Sequence, residues 1–163
     1  MNEDILVKHG SPTLAGIKTG ALFSCVFDSV DTMRRCIREW NRIVVKKGLR
    51  VLPLQCRNLR VLVYIYRISH LRRDFQRADI RSILTRMGYC CDNPEACILN
   101  LVKRLDADSG FPHEIGLFLG YPPEDVMGFI KHNACGFKCV GCWKVYGDEK
   151  AAREQFVKYR RCN

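Results

Sequence analysis

Two consecutive apolar runs in the first half of the chain constrain its fold more than any other feature. Residues 51–56 and 59–66 are joined only by Arg57-Asn58. The second run is rich in β-branched and aromatic residues, which favour a strand packed inside a sheet. The short connection therefore predicts a hairpin in which residues 59–66 form a central strand. Pro53 has no N–H to donate and places the first strand toward an edge of the sheet.

An amphipathic helix is predicted before this hairpin. Between residues 29 and 47 apolar side chains recur at helical spacing, and four arginines fill the opposite face. Asp28 or Ser29 can cap the start of this helix through a side-chain oxygen. Gly48 can adopt the left-handed conformation that commonly ends a helix.

The rest of the chain predicts two more strands, over residues 21–27 and 141–146, and a series of helices. Helical patterns, the first of which can break near Asp79, cover residues 71–87, 93–105, 111–120, 122–131 and 148–159. Residues 1–10 are expected to form a flexible N-terminal segment. The sequence thus predicts one compact α/β (α+β) domain over residues 1–163. In it, five or six helices pack on a small mixed sheet of about four strands.

The positive charge of the chain is concentrated in residues 34–86. This segment carries 15 Lys or Arg against three acidic residues, whereas the remainder carries 12 basic and 14 acidic residues. A basic stripe can attract RNA or an acidic protein, and it can equally be the solvated face of amphipathic helices. No helix-turn-helix, zinc-finger or RNA-recognition motif accompanies the stripe.

The interpretation of the ten cysteines depends on the compartment in which the protein is expected. The N-terminal segment starts acidic and shows no secretory signal, and no apolar run approaches the length that spans a bilayer. We therefore expect a cytoplasmic protein with no membrane association. Cysteines in the cytoplasm stay reduced, so these serve as metal ligands, as reactive groups or as small apolar packing residues.

Two groups of cysteines have spacings that suit a metal ion. Cys139 and Cys142 are separated by two residues and can supply half of a zinc or iron site. Cys90, Cys91 and Cys97 can supply the other half. The alternative is that all five are packing residues on a strand and a loop.

His113 and Glu114 form the most distinctive titratable pair. They lie in Phe-Pro-His-Glu-Ile-Gly, and no second His follows at the spacing of a zinc protease. In one interpretation Glu114 favours the positive start of a helix while His113 caps or packs. In the other, the pair acts in acid/base chemistry or binds a ligand. Lys18 follows Gly16 without the glycine spacing of a P-loop, but its ammonium can still contact an anion.

Three segments together resemble a known family. They are residues 11–19, residues 111–122 and residues 139–148. They look like the bacterial family called domain of unknown function 3793, which is common in anaerobic Clostridia. The resemblance implies a cytosolic single-domain protein and no particular reaction. The recurring motif residues, carried over by position, are Lys18, His113, Glu114, Gly120, Tyr121, Pro122, Trp143, Lys144 and Tyr146. Many members carry a Cys where this chain has Gly10, which weakens a metal site shared by the family.

Four of these motif residues are difficult to explain as core. Lys18, His113, Glu114 and Lys144 are titratable and come from separate segments, and we expect them to converge with Tyr121 in a ligand pocket at the strand ends.

Three functions follow from these observations. The first is an accessory protein that binds a small anionic ligand, a metal (zinc or iron) or a redox cofactor around His113 and Glu114. The second is an enzyme that uses His113 as its acid/base. The third is a basic adaptor that docks RNA or an acidic redox protein through residues 34–86.

Overall fold

A three-stranded antiparallel sheet forms the centre of the molecule in the computed structural model, which describes residues 3–163. Its strand order is β1 (Gly20–Val26), β3 (Arg60–Arg67) and β2 (Leu49–Arg57). The central strand β3 pairs with both neighbours, and its even and odd positions pack into two separate apolar cores. The predicted central strand is therefore confirmed.

The hairpin between β2 and β3 is also confirmed. Asn58 and Leu59 both have positive φ angles, of 49° and 62°. Such angles give a two-residue turn whose twist matches that of the flanking strands. Strand β2 lies at the edge of the sheet, and its register shifts between Pro53 and Gln55. Pro53 thus occupies an edge position beside a bulge, where its missing N–H is tolerated.

One face of the sheet is covered by α1 (Asp4–Leu14) and α2 (Val30–Val44). The α2 helix begins as predicted, because the Ser29 side chain accepts a hydrogen bond from the Thr32 N–H at 3.1 Å. A short 3₁₀ turn then ends at Gly48, whose φ of 76° is left-handed. The α2 helix buries Trp40 against the sheet.

The α1 helix corrects one expectation. Where the sequence predicts a flexible segment over residues 1–10, the chain is helical from Asp4, and Leu6 is only 4% exposed. Gly10 is also buried, with room beside it limited by Ile65 of β3. Residues 1 and 2 lie outside the described part of the chain.

Five helices cover the opposite face and its margins. They are α3 (Ile68–Gln76), α4 (Ala78–Arg86), α5 (Pro94–Asp106), α6 (Ile115–Phe118) and α7 (Pro123–Lys131). Their apolar side chains form one core with the even positions of β3. The break between α3 and α4 falls at Arg77, close to the predicted break at Asp79. No helix within residues 3–163 combines the length and apolarity needed to cross a bilayer.

The C-terminal part differs from the prediction. Residues 141–146 do not form one strand of the main sheet. Instead, β4 (Cys139–Val140) and β5 (Lys144–Val145) make a small antiparallel ribbon, which packs on α8 (Glu149–Arg160). The chain reverses between the two strands, and the Gly141 N–H donates to the Trp143 carbonyl at 3.1 Å. The α+β class is confirmed, but the main sheet has three antiparallel strands rather than four mixed ones. Eight α-helices are present in the described residues, against the five or six predicted.

One side chain ties the ends of two helical segments to β3. The Arg67 guanidinium donates to the carbonyls of Thr13 at 3.2 Å, Leu14 at 2.9 Å and Lys47 at 3.0 Å. These carbonyls lie at helix C-termini, where intrahelical donors are few and a positive charge is favourable; the Thr13 carbonyl also accepts from the Gly16 N–H at 3.2 Å. Arg67 therefore fixes α1 and the 3₁₀ turn against the end of the central strand.

We expect Arg67→Met to lower the free energy of unfolding by about 3 kcal/mol, since hydrogen bonds made by a charged donor are lost at three carbonyls. Urea denaturation measures this change. Arg60→Met, at the exposed opposite end of β3, is the matched control and should change stability by less than about 0.5 kcal/mol. Equal losses in the two variants would contradict the tethering role of Arg67.

Candidate functional site

Two neighbouring cavities share a wall formed by Tyr121 and Trp143. The larger, of about 440 Å³, is lined by Lys18 and is called the Lys18 cavity. The smaller, of about 300 Å³, is lined by His113 and Lys144 and is called the His113 cavity. Volumes of this size match those of small-molecule sites.

Close backbone packing brings Lys18 next to Tyr121. A Cβ atom on Gly20 would lie 2.8 Å from the Phe118 carbonyl oxygen, and one on Gly120 would lie 2.8 Å from a Thr19 side-chain atom. Gly120 also has a φ of 83°, which other residues rarely adopt. The two glycines therefore let the loop before β1 contact the loop after α6.

Lys18 carries an ammonium group between aromatic rings. Its Nζ lies 5.2 Å from the ring centroid of Tyr121 and 5.7 Å from that of Tyr159. Within residues 3–163, no carboxylate lies within ion-pair distance of it. Burial lowers the pKa of Lys18 below its usual 10.5, and negative charge on nearby Cys142 acts in the opposite direction. The ammonium is thus partly desolvated and lacks a carboxylate partner.

A hydrogen-bonded group and a separate histidine form another part of the Lys18 cavity. The Thr19 hydroxyl donates a short hydrogen bond to the Asp74 carboxylate, which also accepts from Arg73 at 3.0 Å. His70 lines the same cavity, and its buried Nδ1 has no hydrogen-bond partner. Burial, followed by the charges of Arg73 and Arg67, lowers the pKa of His70. The imidazole is therefore mainly neutral at pH 7, and its Nδ1 is buried without a hydrogen-bond partner.

Asp125 holds the shared wall in place. This carboxylate is 3% exposed and accepts three hydrogen bonds. The Trp143 indole donates at 2.7 Å, and the backbone N–H groups of Tyr146 and Gly147 donate at 2.9 Å and 2.8 Å. Asp125 belongs to α7, whereas Trp143 lies in the ribbon turn and the other two donors directly follow β5, so Asp125 anchors the ribbon to that helix.

Trp143 is also fixed by neighbouring rings. Its ring centroid lies 4.8 Å from that of Tyr121 and 4.6 Å from that of Phe156, the second pair being edge-on. Aromatic contacts of this kind stabilise a defined geometry. The wall between the two cavities is therefore part of a packed cluster and not a loose surface side chain.

The His113 cavity brings together two of the predicted residues. The exposed His113 ring lies 4.9 Å from the Phe129 ring, and the Lys144 Nζ lies 5.8 Å from the same ring. Lys144 also donates to the Ala134 carbonyl at 2.9 Å. Cys142 lines this cavity as well. His113, Lys144 and Tyr121 thus converge as predicted, and Lys18 lies across the shared wall.

The Glu114 side chain lines neither cavity. Its side chain is buried, accepts a hydrogen bond from the Tyr89 hydroxyl at 2.8 Å and pairs with Arg104 at 3.4 Å. Burial and the Glu114 carboxylate raise the pKa of Tyr89. Adjacent helical residues point about 100° apart, and here His113 faces a cavity while Glu114 faces the core. Glu114 is therefore a structural residue.

The cysteines do not assemble into the predicted metal site. Cys97 lies in the main core and donates to the Cys90 carbonyl at 2.9 Å, whereas Cys139 packs in the separate cluster around the ribbon. Burial and the neighbouring Cys91 raise the pKa of Cys97 to about 12, so it stays a thiol. Cys142 is exposed. Nowhere in residues 3–163 do three or more His, Cys, Asp or Glu side chains form a group suited to a metal ion.

Two residues of this site are not identifiable as functional candidates from the sequence. His70 reads as a structural or surface histidine near a helix start, and Asp125 reads as one of two acidic residues that favour the start of α7. Their roles depend on partners far along the chain. For Asp125, its place in the first turn of α7 is ordinary for an acidic residue and gives no sign of burial.

Comparison with known proteins gives a family and nothing more specific. The model of a family described as a protein of unknown function (DUF3793) matches residues 6–163. No curated protein and no solved structure gives a significant match. What the cavities bind must therefore be inferred from the residues of this chain.

We expect Asp125→Ala to lower the free energy of unfolding by about 3 kcal/mol, because three donors lose a buried charged acceptor. Asp125→Asn keeps an oxygen for the two backbone donors but faces the Trp143 indole with an amide N–H₂, so its loss should be intermediate. Chemical denaturation gives the three values. Asp108→Ala, in an exposed loop, is the control, and a loss no larger than the control's would remove Asp125 as an anchor.

Proposed function

The chain belongs to the DUF3793 family of proteins of unknown function, and we propose that it binds a small anionic ligand in the Lys18 cavity. The observation that carries this proposal is the Lys18 ammonium. It is partly desolvated between Tyr121 and Tyr159 and has no carboxylate partner in the described residues. An anionic group of a ligand supplies the missing partner, and it does so where low solvent exposure strengthens the attraction.

The lining indicates what else the ligand contains. Tyr121 and Trp143 offer ring faces and edges to a planar or apolar group, and the His70 ring lines the same cavity. Arg73 and Arg77, at the same cavity, are each paired with an aspartate. We therefore propose a ligand that combines one anionic group with an aromatic or similarly flat body.

This proposal moves the site away from the His113–Glu114 pair. Glu114 is occupied in the core, whereas His113 and Lys144 line the second cavity, where a longer ligand can extend past Tyr121. Anion binding is favoured over metal binding because the cavity offers an unpaired ammonium, while the described residues offer no suitable trio of metal ligands. We also propose a cytoplasmic location, which the ten free thiols support.

A catalytic role is the second candidate, because each cavity holds an imidazole. His113 is exposed beside Lys144, as the acid/base hypothesis requires. His70 is neutral and unpaired beside Lys18. Mass spectrometry of a ligand recovered after incubation with the protein distinguishes the candidates, since a binding protein returns it unchanged.

The proposal is tested with three probes in calorimetric titrations. Phenyl phosphate carries both a ring and an anion, inorganic phosphate carries only the anion, and benzyl alcohol carries only the ring. We expect phenyl phosphate to bind most tightly. Lys18→Met should weaken its binding about tenfold or more, the effect of one charged hydrogen bond. The control Lys103→Met removes an exposed lysine on α5 and should change nothing. Equal affinities of wild type and Lys18→Met would overturn the proposal.

The affinity for phenyl phosphate should fall as the pH rises through the pKa of Lys18. Only the protonated amine attracts the anion, and burial has already moved this pKa below its usual 10.5. The fall should therefore begin at a lower pH than for an exposed lysine. Titrations above about pH 8 avoid ionisation of the phosphate ester itself, whose second pKa is about 6. Lys18→Arg keeps its charge throughout and should flatten the profile; a sloping profile in that variant would assign the pH dependence to another group.

A further inference from the structure

The densest group of unpaired basic residues in the segment 34–86 lies on one helix and the turn that follows it. Downstream of them, several basic side chains are already engaged. Arg67 binds three backbone carbonyls, and four arginines form ion pairs with acidic residues. These pairs are Arg72–Glu95, Arg73–Asp74, Arg77–Asp79 and Arg81–Asp92. The downstream arginines without an acidic partner in the described residues are spread over the sheet and the end of a later helix; they are Arg50, Arg57, Arg60 and Arg86.

The α2 helix and the following 3₁₀ turn present this charge to solvent. Six exposed side chains, which we call the α2 basic face, are Arg34, Arg35, Arg38, Arg42, Lys46 and Lys47. Among residues 3–163, none of the six has a carboxylate within ion-pair distance. Asp31 shares a shallow depression with three of the arginines but is beyond that distance. The helix also carries Glu39 between these basic residues, but the face keeps a net positive charge.

The orientation of this face is fixed by the core. On the opposite side of α2, Cys36, Ile37, Trp40 and Val44 are buried against the sheet. The Asn41 side chain adds two hydrogen bonds to the neighbouring edge strand, one to the Val51 carbonyl at 2.8 Å and one from the Val51 N–H at 2.9 Å. The helix cannot rotate without losing these contacts, so the arginines form a pre-organised surface.

Their spacing suits a regular polyanion. Arg34, Arg38 and Arg42 follow one another at four-residue intervals, which in a helix corresponds to steps of about 6 Å along one stripe. Consecutive phosphates of a nucleic acid strand are separated by a similar distance. Guanidinium groups also bind phosphate oxygens in a bidentate manner.

The composition of the face favours a nucleic acid over an acidic protein. Protein interfaces depend on buried aromatic or apolar anchors at their centre. The α2 basic face exposes no aromatic side chain, because Trp40 points into the core. The one amide side chain of α2, Asn41, is engaged with the backbone and is not free to read an adenine edge. The contacts that we propose are those of the guanidinium groups with phosphate oxygens.

We propose that the α2 basic face binds the phosphate backbone of a nucleic acid without base specificity. This inference is independent of the Lys18 cavity, which none of the six side chains lines. Binding of this type releases counterions, so the logarithm of the association constant falls linearly with the logarithm of the salt concentration.

The test is fluorescence anisotropy with two RNA 20-mers of unrelated sequence and their DNA counterparts, each over a salt series. We expect the two sequences to bind alike. The triple variant Arg34→Gln, Arg38→Gln and Arg42→Gln should bind at least tenfold more weakly at low salt, with a salt slope shallower by about 2 to 3. Preference for RNA over DNA, or the reverse, identifies the natural strand. Circular dichroism and thermal melting verify that the triple variant is folded.

A charge-matched control distinguishes binding by this face from an effect of the overall net charge. The variant with Arg86→Gln, Arg160→Gln and Arg161→Gln loses the same three charges at exposed positions outside α2, and it should bind like the wild type. An equal loss in both variants would reduce the effect to overall charge and overturn the proposal. The proposal would also be overturned if polyglutamate displaced RNA at equal total charge, because the face would then be assigned to an acidic protein.

Discussion

The central strand β3 has no polar face, and most of the architecture serves to cover it. Val61 and residues 63–66 are all buried, with alternate side chains pointing into two different cores. A strand of this kind is stable only between two layers. The α1 and α2 helices provide one layer and α3 to α7 provide the other. Arg67, at the end of this strand, donates hydrogen bonds to carbonyls at the ends of two helical segments. A single side chain therefore joins the sheet to the helices.

The two cavities lie where the second layer of helices ends. The helices after β3 leave a gap beside the loop that precedes β1, and the β4–β5 ribbon closes part of it. Asp125 holds that ribbon from inside the protein, and two glycines allow the loops to touch. Lys18 is left at this junction with aromatic neighbours and no carboxylate. The proposed ligand site therefore depends on long-range packing rather than on one local motif.

The sequence predicts well what local physics determines. The hairpin, α2 and its caps follow from periodicity and turn chemistry within a few residues. The ribbon does not, because its position is fixed by hydrogen bonds to Asp125, which lies on a different element of the chain. The direction in which the Glu114 side chain points likewise depends on its hydrogen bond with Tyr89. The environment of His70 is also set by the fold, which buries its Nδ1 without a hydrogen-bond partner. The family resemblance indicated Lys18, His113, Tyr121 and Lys144, but only three-dimensional packing separates them into two cavities and removes Glu114.

The shared aromatic wall has a thermodynamic consequence for the two cavities. Tyr121 and Trp143 form part of both cavities, and their packing holds them in one geometry. An occupant of either cavity that displaced one of these rings would disrupt that packing, and the free energy lost would lower its own affinity. The same packed cluster therefore sets the size limit of both cavities.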